Sequence, residues 1–291
     1  MAAPPDFSRV LITGARGFIG RHATKEFERR GFSVTAVSRG DIPQLHGIDV
    51  VLHLAGHAHV MRPRPRDLVA FRAINVDATR ALAADAARAG VKRFIFLSSA
   101  GLFPSDASPE TVDAYLRSKA DGEEAVRTVL SGTSTTPVIV RSPMVYGPGA
   151  PGTFSRLTAL VARRLPLPFG EIGNKRSMVS IWNLCDFLVV VSIHPSVCFS
   201  IDPWPVSDGH DVSTSELVEA IAASRGFRPR LYRVSPRLLE IAAAAIGRRE
   251  EMHRLFGSSC IDIGASRLRL GWTPPIPFKE GISRSVIGDA A

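Results

Sequence analysis

Cysteine is scarce in this chain of 291 residues: Cys185, Cys198 and Cys260 are too few and too scattered for a disulfide framework or a metal cluster. A reducing, cytoplasmic home is the expectation, with no metal. Lysine is scarcer than its total charge suggests. Only five of the 36 basic residues are lysine, so the net charge of +9 is an arginine excess. Those arginines are scattered, with short clusters such as Arg62, Arg64 and Arg66. No basic block is interleaved with aromatics as a nucleic-acid groove requires, and aromatics make up only 7%. No nucleic-acid partner is expected; a polyanionic small molecule such as a nucleotide fits the excess. No run approaches the roughly 18–20 apolar residues that a membrane span needs, so no integral membrane segment is expected. The first residues carry no basic segment followed by an apolar stretch, so no secretion signal is read.

What is present is enough for a sizeable core: 45% hydrophobic and 22% charged residues. The first half alternates. Short apolar strands are predicted over 10–13, 33–37, 49–55, 93–97 and 137–141, and helices over 18–30, 67–89 and 115–130. Strand–helix–strand repetition with apolar strands means a parallel sheet covered on both faces. Beyond Tyr146 the order loosens. Helices are expected over 154–164, 183–193 and 236–247, the last facing the core, and Ser213 and Glu216 have the spacing of a capping box.

Directly after the first strand stand Gly14, Ala15, Arg16, Gly17, Phe18, Ile19 and Gly20. Gly14 allows the tight turn, Gly17 leaves room for a pyrophosphate at the helix N-terminus, and Gly20 lets the helix pack close to the sheet. The pattern predicts a bound dinucleotide. At the end of the second strand, Ser38 and Arg39 stand where an acidic residue would hold free ribose hydroxyls. Arg39, with Arg16, could instead clamp a 2′-phosphate, which favours NADP(H); Asp41, just beyond, leaves NAD(H) open.

Tyr115 and Lys119 fall four apart, on one face of a helix. With three tyrosines and five lysines in the chain, chance supplies only about 0.05 such pairs. A free phenol titrates near pH ~10, and an ammonium one turn away favours the phenolate. Tyr115 could then pass a proton to or from an oxygen while hydride moves to or from a nicotinamide. Ser99, at the end of a strand, could hydrogen-bond that oxygen.

These motifs occur in one order: the glycine loop, Leu54-Ala55-Gly56, Asn75, Ser98-Ser99, Tyr115 with Lys119, Arg141 to Pro148, and Leu270 to Pro274. The chain resembles the extended short-chain dehydrogenase/reductase family, the NAD-dependent epimerase/dehydratase group, over about residues 8–285. The resemblance implies a doubly wound parallel Rossmann-type sheet with a smaller C-terminal substrate lobe. The sheet domain would comprise 1–146 with about 178–202; the lobe, about 147–177 with 203–291. It implies that Gly14, Arg16, Gly17, Phe18, Ile19, Gly20, Ser38, Arg39, Leu54, Ala55, Gly56, Asn75, Tyr115 and Lys119 line the cofactor. Ser99, Tyr115 and Lys119 would be catalytic. Substrate would meet Ser99, Tyr115, Met144 and Arg176, the last matching the family arginine that reaches the substrate's diphosphate. A homodimer through two long helices is likewise a family expectation.

Within the family, His57 to Met61, Asn174 to Ser177 and Val206 to Ser213 look most like bacterial surface-polysaccharide enzymes acting on UDP-linked sugars. Dehydratases of the family carry Asp-Glu after the reactive hydroxyl; Ala100-Gly101 here removes that acid and base. Met144 replaces the asparagine of many epimerases, and Trp182 stands where the family has aspartate. The segments 39–49 and 99–115 are short for the family. The leading reading is an NADP(H)-dependent reductase acting at C4 of a UDP-linked keto-sugar. A UDP-hexose 4-epimerase holding NAD is the second, and a catalytically silent dinucleotide-binding sensor or scaffold the third.

Overall fold

The computed structural model describes residues 8–38, 40–58, 64–102, 114–200, 202–245 and 256–288. The chain divides into two compact units.

The first unit takes Met1–Pro143, Leu184–Val206 and Ile263–Thr273. Its sheet holds β1 (Arg9–Thr13), β2 (Ser33–Val37), β3 (Val50–His53), β4 (Arg93–Ser99), β5 (Thr136–Ser142) and β8 (Trp204–Pro205). The order is β2-β1-β3-β4-β5-β8, and every pairing is parallel. All four residues of β3 are buried, as are Val10 to Thr13 of β1, which is the signature of a sheet covered on both faces. The helices joining the strands are α1 (Phe18–Arg29), α2 (Pro65–Arg72), α3 (Ala78–Arg88) and α4 (Ala114–Leu130). One helix was expected over 67–89. The chain is indeed helical from 65 to 88, but a π-helical turn, Ala73–Asp77, interrupts it.

Strand β1 has β2 on one side and β3 on the other, so the winding reverses at β1. In open α/β sheets ligands bind at the carboxyl ends of the strands, at that reversal. The described residues of 40–49 form neither helix nor strand, so no strand lies beyond β2 among the described residues. Residues 263–273, expected in the lobe, return to this unit. Ser266 Oγ in α9 (Gly264–Leu270) donates to the Pro205 carbonyl at 2.6 Å, and Trp272 Nε1 to Asp186 at 2.8 Å.

The second unit takes Met144–Asn183, Ser207–Asp262 and Pro274–Ala291. Residues 144–146 and 178–183, expected with the sheet domain, therefore group here. A small sheet pairs β6 (Met144–Tyr146) in parallel and β9 (Asp211–Val212) in antiparallel with β7 (Arg176–Ser180). The unit also holds α5 (Thr153–Ala162), the start of α6 (Ile181–Ile193), α7 (Thr214–Ser224), α8 (Pro236–Ala245) and α10 (Phe278–Gly288). The capping box forms as expected: Glu216 N donates to Ser213 Oγ at 3.0 Å and Ser213 N to Glu216 Oε2 at 2.7 Å.

Asp208 pins this unit. Its carboxylate accepts from Tyr146 Oη (2.6 Å), Ser180 N (2.9 Å) and Asn183 Nδ2 (2.7 Å). Asn183 also exchanges two hydrogen bonds with the backbone of Ile276, both at 2.8 Å. Helix α8 corrects an expectation. It was read as core-facing, yet Leu238 and Ile241 are 61% and 66% exposed.

Candidate active site

The glycine loop is built by contact, not by composition alone. Gly14 takes φ +69°, a conformation that suits glycine. A Cβ there would lie 2.8 Å from Ala55 N, and a Cβ on Gly20 would lie 2.1 Å from the Gly14 carbonyl oxygen. Only bare backbone lets α1 approach β1 and the 54–56 loop so closely. Gly17 caps α1 without any side-chain hydrogen bond, which leaves the first-turn amides facing outward for an anion. Phe18 and Ile19 occupy that first turn, half-buried, and Arg16 is exposed beside it. This cradle fits a dinucleotide pyrophosphate.

The neighbouring strand ends close round it. Ala15 N donates to the Val37 carbonyl at 3.3 Å, tying the loop to the end of β2. Ser38 follows, and its N–H donates to Asp41 Oδ2 at 2.8 Å, which sets a carboxylate at the tip of β2. Arg39 lies outside the described residues. Leu54, Ala55 and Gly56 continue from β3, with Ala55 N donating to Thr13 Oγ1 at 3.2 Å. The buried His53 ring bridges Thr13 Oγ1 (2.7 Å) and Thr79 Oγ1 (2.9 Å). Burial, with the Lys119 charge nearby, pushes His53 down to about 3, so the ring is neutral at ordinary pH.

Asn75 sits in the π-helical turn, 1% exposed. Its side chain accepts from His57 N (2.8 Å) and donates to the His57 carbonyl (3.0 Å) and to Ser118 Oγ (2.8 Å). Asn75 was expected to line the cofactor. Its side-chain hydrogens both go to protein, joining the loop after β3 to α4, the helix that carries Tyr115 and Lys119. Ser118 Oγ in turn donates to the Tyr115 carbonyl at 2.7 Å.

Helix α4 buries Ser118, Lys119, Gly122, Glu123, Ala125, Val126 and Leu130, a stripe of three- and four-residue spacing. Gly122 permits that packing: a Cβ there would lie 2.5 Å from the Asn75 carbonyl oxygen and 2.9 Å from Phe96 Cζ. Tyr115 is half-buried in the first turn, its ring centroid 6.1 Å from that of Phe71. Lys119 is 6% exposed, with Nζ 4.0 Å from the Phe96 ring centroid. Burial pushes its amine down to about 7, against a smaller opposing pull from Glu123. Glu123 itself is held bidentately by Arg141, at 2.9 and 2.7 Å. Ser99 ends β4, and its Oγ accepts from Gly101 N at 3.3 Å. Gly101 packs on α4 at the residue after Tyr115; a Cβ there would lie 2.9 Å from Leu116 Cδ2.

Met144 and Arg176 belong to the second unit. There they line one narrow pocket together with Phe154, Leu157, Met178 and Thr214. Arg176 forms no ion pair among the described residues, and burial alone lowers its pKa. The roles of His53, Ser118 and Gly122 were missed in the sequence. Each meets a partner 26 or more residues away in the chain (Thr79, Asn75 and Phe96), and nothing in local spacing signals those contacts.

A glycine cradle beside a helix-borne Tyr–Lys pair is an arrangement that can pair proton exchange with hydride exchange, as in short-chain oxidoreductases. Residues 10–196 match the NAD dependent epimerase/dehydratase family, and the chain belongs to it. Over 310 residues it is 33% identical to the UDP-glucose 4-epimerase of Vibrio cholerae, covering 95% of this chain and 94% of that protein. Over 300 residues it is 29% identical to the ceramide reductase of Caulobacter vibrioides, covering 94% and 88%. Among solved structures, MoeE5 in complex with UDP-glucose and NAD shares the fold, with a TM-score of 0.77 and 23% identity over 97% of this chain and 99% of that one.

Proposed function

We propose that the protein is a reductase acting at C4 of a UDP-linked keto-sugar. The observation that carries the chemistry is the Tyr115–Lys119 turn of α4, fastened through Ser118 and Asn75 to the loop beside the glycine cradle. A dinucleotide held by the Gly14–Gly20 cradle would supply hydride from its nicotinamide. Tyr115 Oη gives a proton to the new C4 hydroxyl. Lys119, with its amine near 7, holds or releases a proton at neutral pH, so it favours the phenolate and can restore the phenol. Ser99 Oγ orients the C4 oxygen. Arg176, a largely buried guanidinium without a carboxylate partner among the described residues, supports a diphosphate-bearing substrate.

A specific observation favours the reductase over an epimerase. The chain has no strand or helix in 40–49 beyond β2, where the family covers the adenine. A cofactor held on fewer sides exchanges more readily, which suits an enzyme that consumes one reduced nicotinamide per turnover. The dinucleotide is read as NADP(H) on Arg16 and Arg39. Asp41 at the β2 tip favours NAD(H) as the second reading, since a carboxylate there receives ribose hydroxyls.

The test mixes protein with a UDP-4-keto-6-deoxy-N-acetylhexosamine and NADPH or NADH in parallel. Expected is substrate-dependent loss of reduced nicotinamide, with Tyr115→Phe slowing it by about a hundredfold or more. Interconversion of UDP-glucose and UDP-galactose without net oxidation would replace the reductase with the 4-epimerase. Neither activity, with cofactor still bound, would leave the silent binder.

A further inference from the structure

A second cavity in the second unit has no part in this chemistry. Its volume is about 310 Å³, and its lining includes Val161, Arg164, Leu165, Phe227, Arg228 and Arg230. Just past the end of α5, Arg164 takes φ +54°, the left-handed region, and no other non-glycine residue among those described does so. Such a conformation is unfavourable in an L-residue, so a backbone that keeps it is held there by its surroundings. The Arg164 guanidinium lies over the Phe227 ring, 4.7 Å from its centroid. Beyond the turn, Leu167 N donates to the Arg230 carbonyl and Tyr232 N to the Leu167 carbonyl, both at 2.9 Å. That pairing holds the segment bearing Arg228 and Arg230 against the Arg164 turn.

Arg164, Arg228 and Arg230 thus line one cavity, all three at exposed positions, and none forms an ion pair among the described residues. Like charges gathered without a counter-charge repel one another, and a phosphate is the group whose oxygens match guanidinium forks. The remaining lining is apolar: Val161, Leu165, Leu167, Phe227 and Pro229. Leu165 is 52% exposed, although a leucine gains by burial. The cavity therefore offers a ligand both charge and apolar surface.

We propose that this cavity is a second binding site, for the phosphate group of an amphiphile, with the phosphate on Arg164, Arg228 and Arg230 and the apolar body against Leu165 and Phe227. The phosphate could be borne by a soluble organophosphate or by a phospholipid in a bilayer, and the test separates the two. Full-length protein is titrated calorimetrically with dihexanoyl phosphatidic acid as monomers, and with inorganic phosphate. It is also floated with vesicles of phosphatidylcholine alone, or of phosphatidylcholine and phosphatidylglycerol in equal parts. Each measurement is repeated on Arg228→Gln/Arg230→Gln, at two exposed positions, and on Leu165→Ser.

Expected is binding of the short-chain amphiphile at least about tenfold tighter than inorganic phosphate, weakened about tenfold or more in the double arginine variant. Leu165→Ser should weaken the amphiphile and leave inorganic phosphate unchanged. Flotation only with phosphatidylglycerol, lost in the arginine variant, would assign the bilayer as the source. Amphiphile binding without flotation would assign a soluble ligand. No binding of amphiphile or vesicles, binding unchanged in the arginine variant, or inorganic phosphate bound as tightly as the amphiphile would each overturn the proposal. Reductase or epimerase turnover is measured separately, so failure of either reading leaves the other standing.

Discussion

Replacing Asn75 by alanine removes three hydrogen bonds of 2.8, 3.0 and 2.8 Å from a residue that is 1% exposed. A hydrogen bond contributes about 0.5–1.5 kcal/mol net, so the three together come to about 3 kcal/mol. Part of that is the cost of leaving the His57 amide and carbonyl without their partner. Against a total stability of about 5–15 kcal/mol, such a loss is large. Urea unfolding followed by tryptophan fluorescence can read it, because the buried Trp204 and Trp272 both lie in the first unit. Ser118→Ala removes one of the same bonds, and the double-mutant cycle should give an Asn75–Ser118 coupling of about 1 kcal/mol. Turnover should fall as well, because a displacement of about 1 Å in the turn bearing Tyr115 can cost as much as about a hundredfold. A loss below about 1 kcal/mol for Asn75→Ala, or a coupling within about 0.3 kcal/mol of zero, would refute the view that this amide fastens α4 to the loop after β3.

The buried amine of Lys119 makes stability depend on pH. Below its folded value of about 7 both states carry the proton and the burial penalty is present; between there and the ordinary lysine value of roughly 10.4 only the unfolded chain holds it, so stability rises with pH. Lys119→Met should abolish that rise in urea midpoints and be the more stable form below pH ~7 in cofactor-free protein. His53 works at the acid end: as pH falls from its ordinary 6.5 towards about 3, the unfolded chain takes a proton that the folded ring refuses, and stability is lost. His53→Gln should flatten acid unfolding over that window while lowering stability at neutral pH. Gly122→Ala should destabilise by about 1–3 kcal/mol in the same urea assay, because its Cβ meets the Asn75 carbonyl oxygen; a gain would show that alanine's helix preference of about 1 kcal/mol prevails over the crowding.

Most of the first unit was legible because β1, β3, β4 and β5 are largely apolar runs and its helices are long enough to show a period; the two-residue β8 and the return of 263–273 were not. Val10 to Thr13 and Arg93 to Ser99 could hardly be anything but buried strands. The second unit was not. Its strands β6, β7 and β9 have three, five and two residues, and they are defined by partners far away in the chain. Asp208 meets Tyr146 across 62 positions, a pairing that no window of sequence contains. At the site, Gly14, Gly17, Gly20, Tyr115 and Lys119 were visible because their chemistry fixes their spacing. The supports of α4 were not: Ser118 and Gly122 are ordinary residues whose meaning is contact, and Asn75, marked only through the family resemblance, gave no sign of the hydrogen bonds it makes to His57 and Ser118.

The π-helical turn at Ala73–Asp77 carries one residue more than an α-helix would need to span the same rise. Deleting a single residue there would let 65–88 run as one uninterrupted α-helix, with every backbone hydrogen bond in its usual frame. The same deletion would swing the side chains on one half of the helix by about 100° relative to the other. The Asn75 amide would then point away from His57 and Ser118. Local regularity and the contacts of Asn75 are thus opposed in this segment: the shorter chain makes the better helix and loses the fastening of α4.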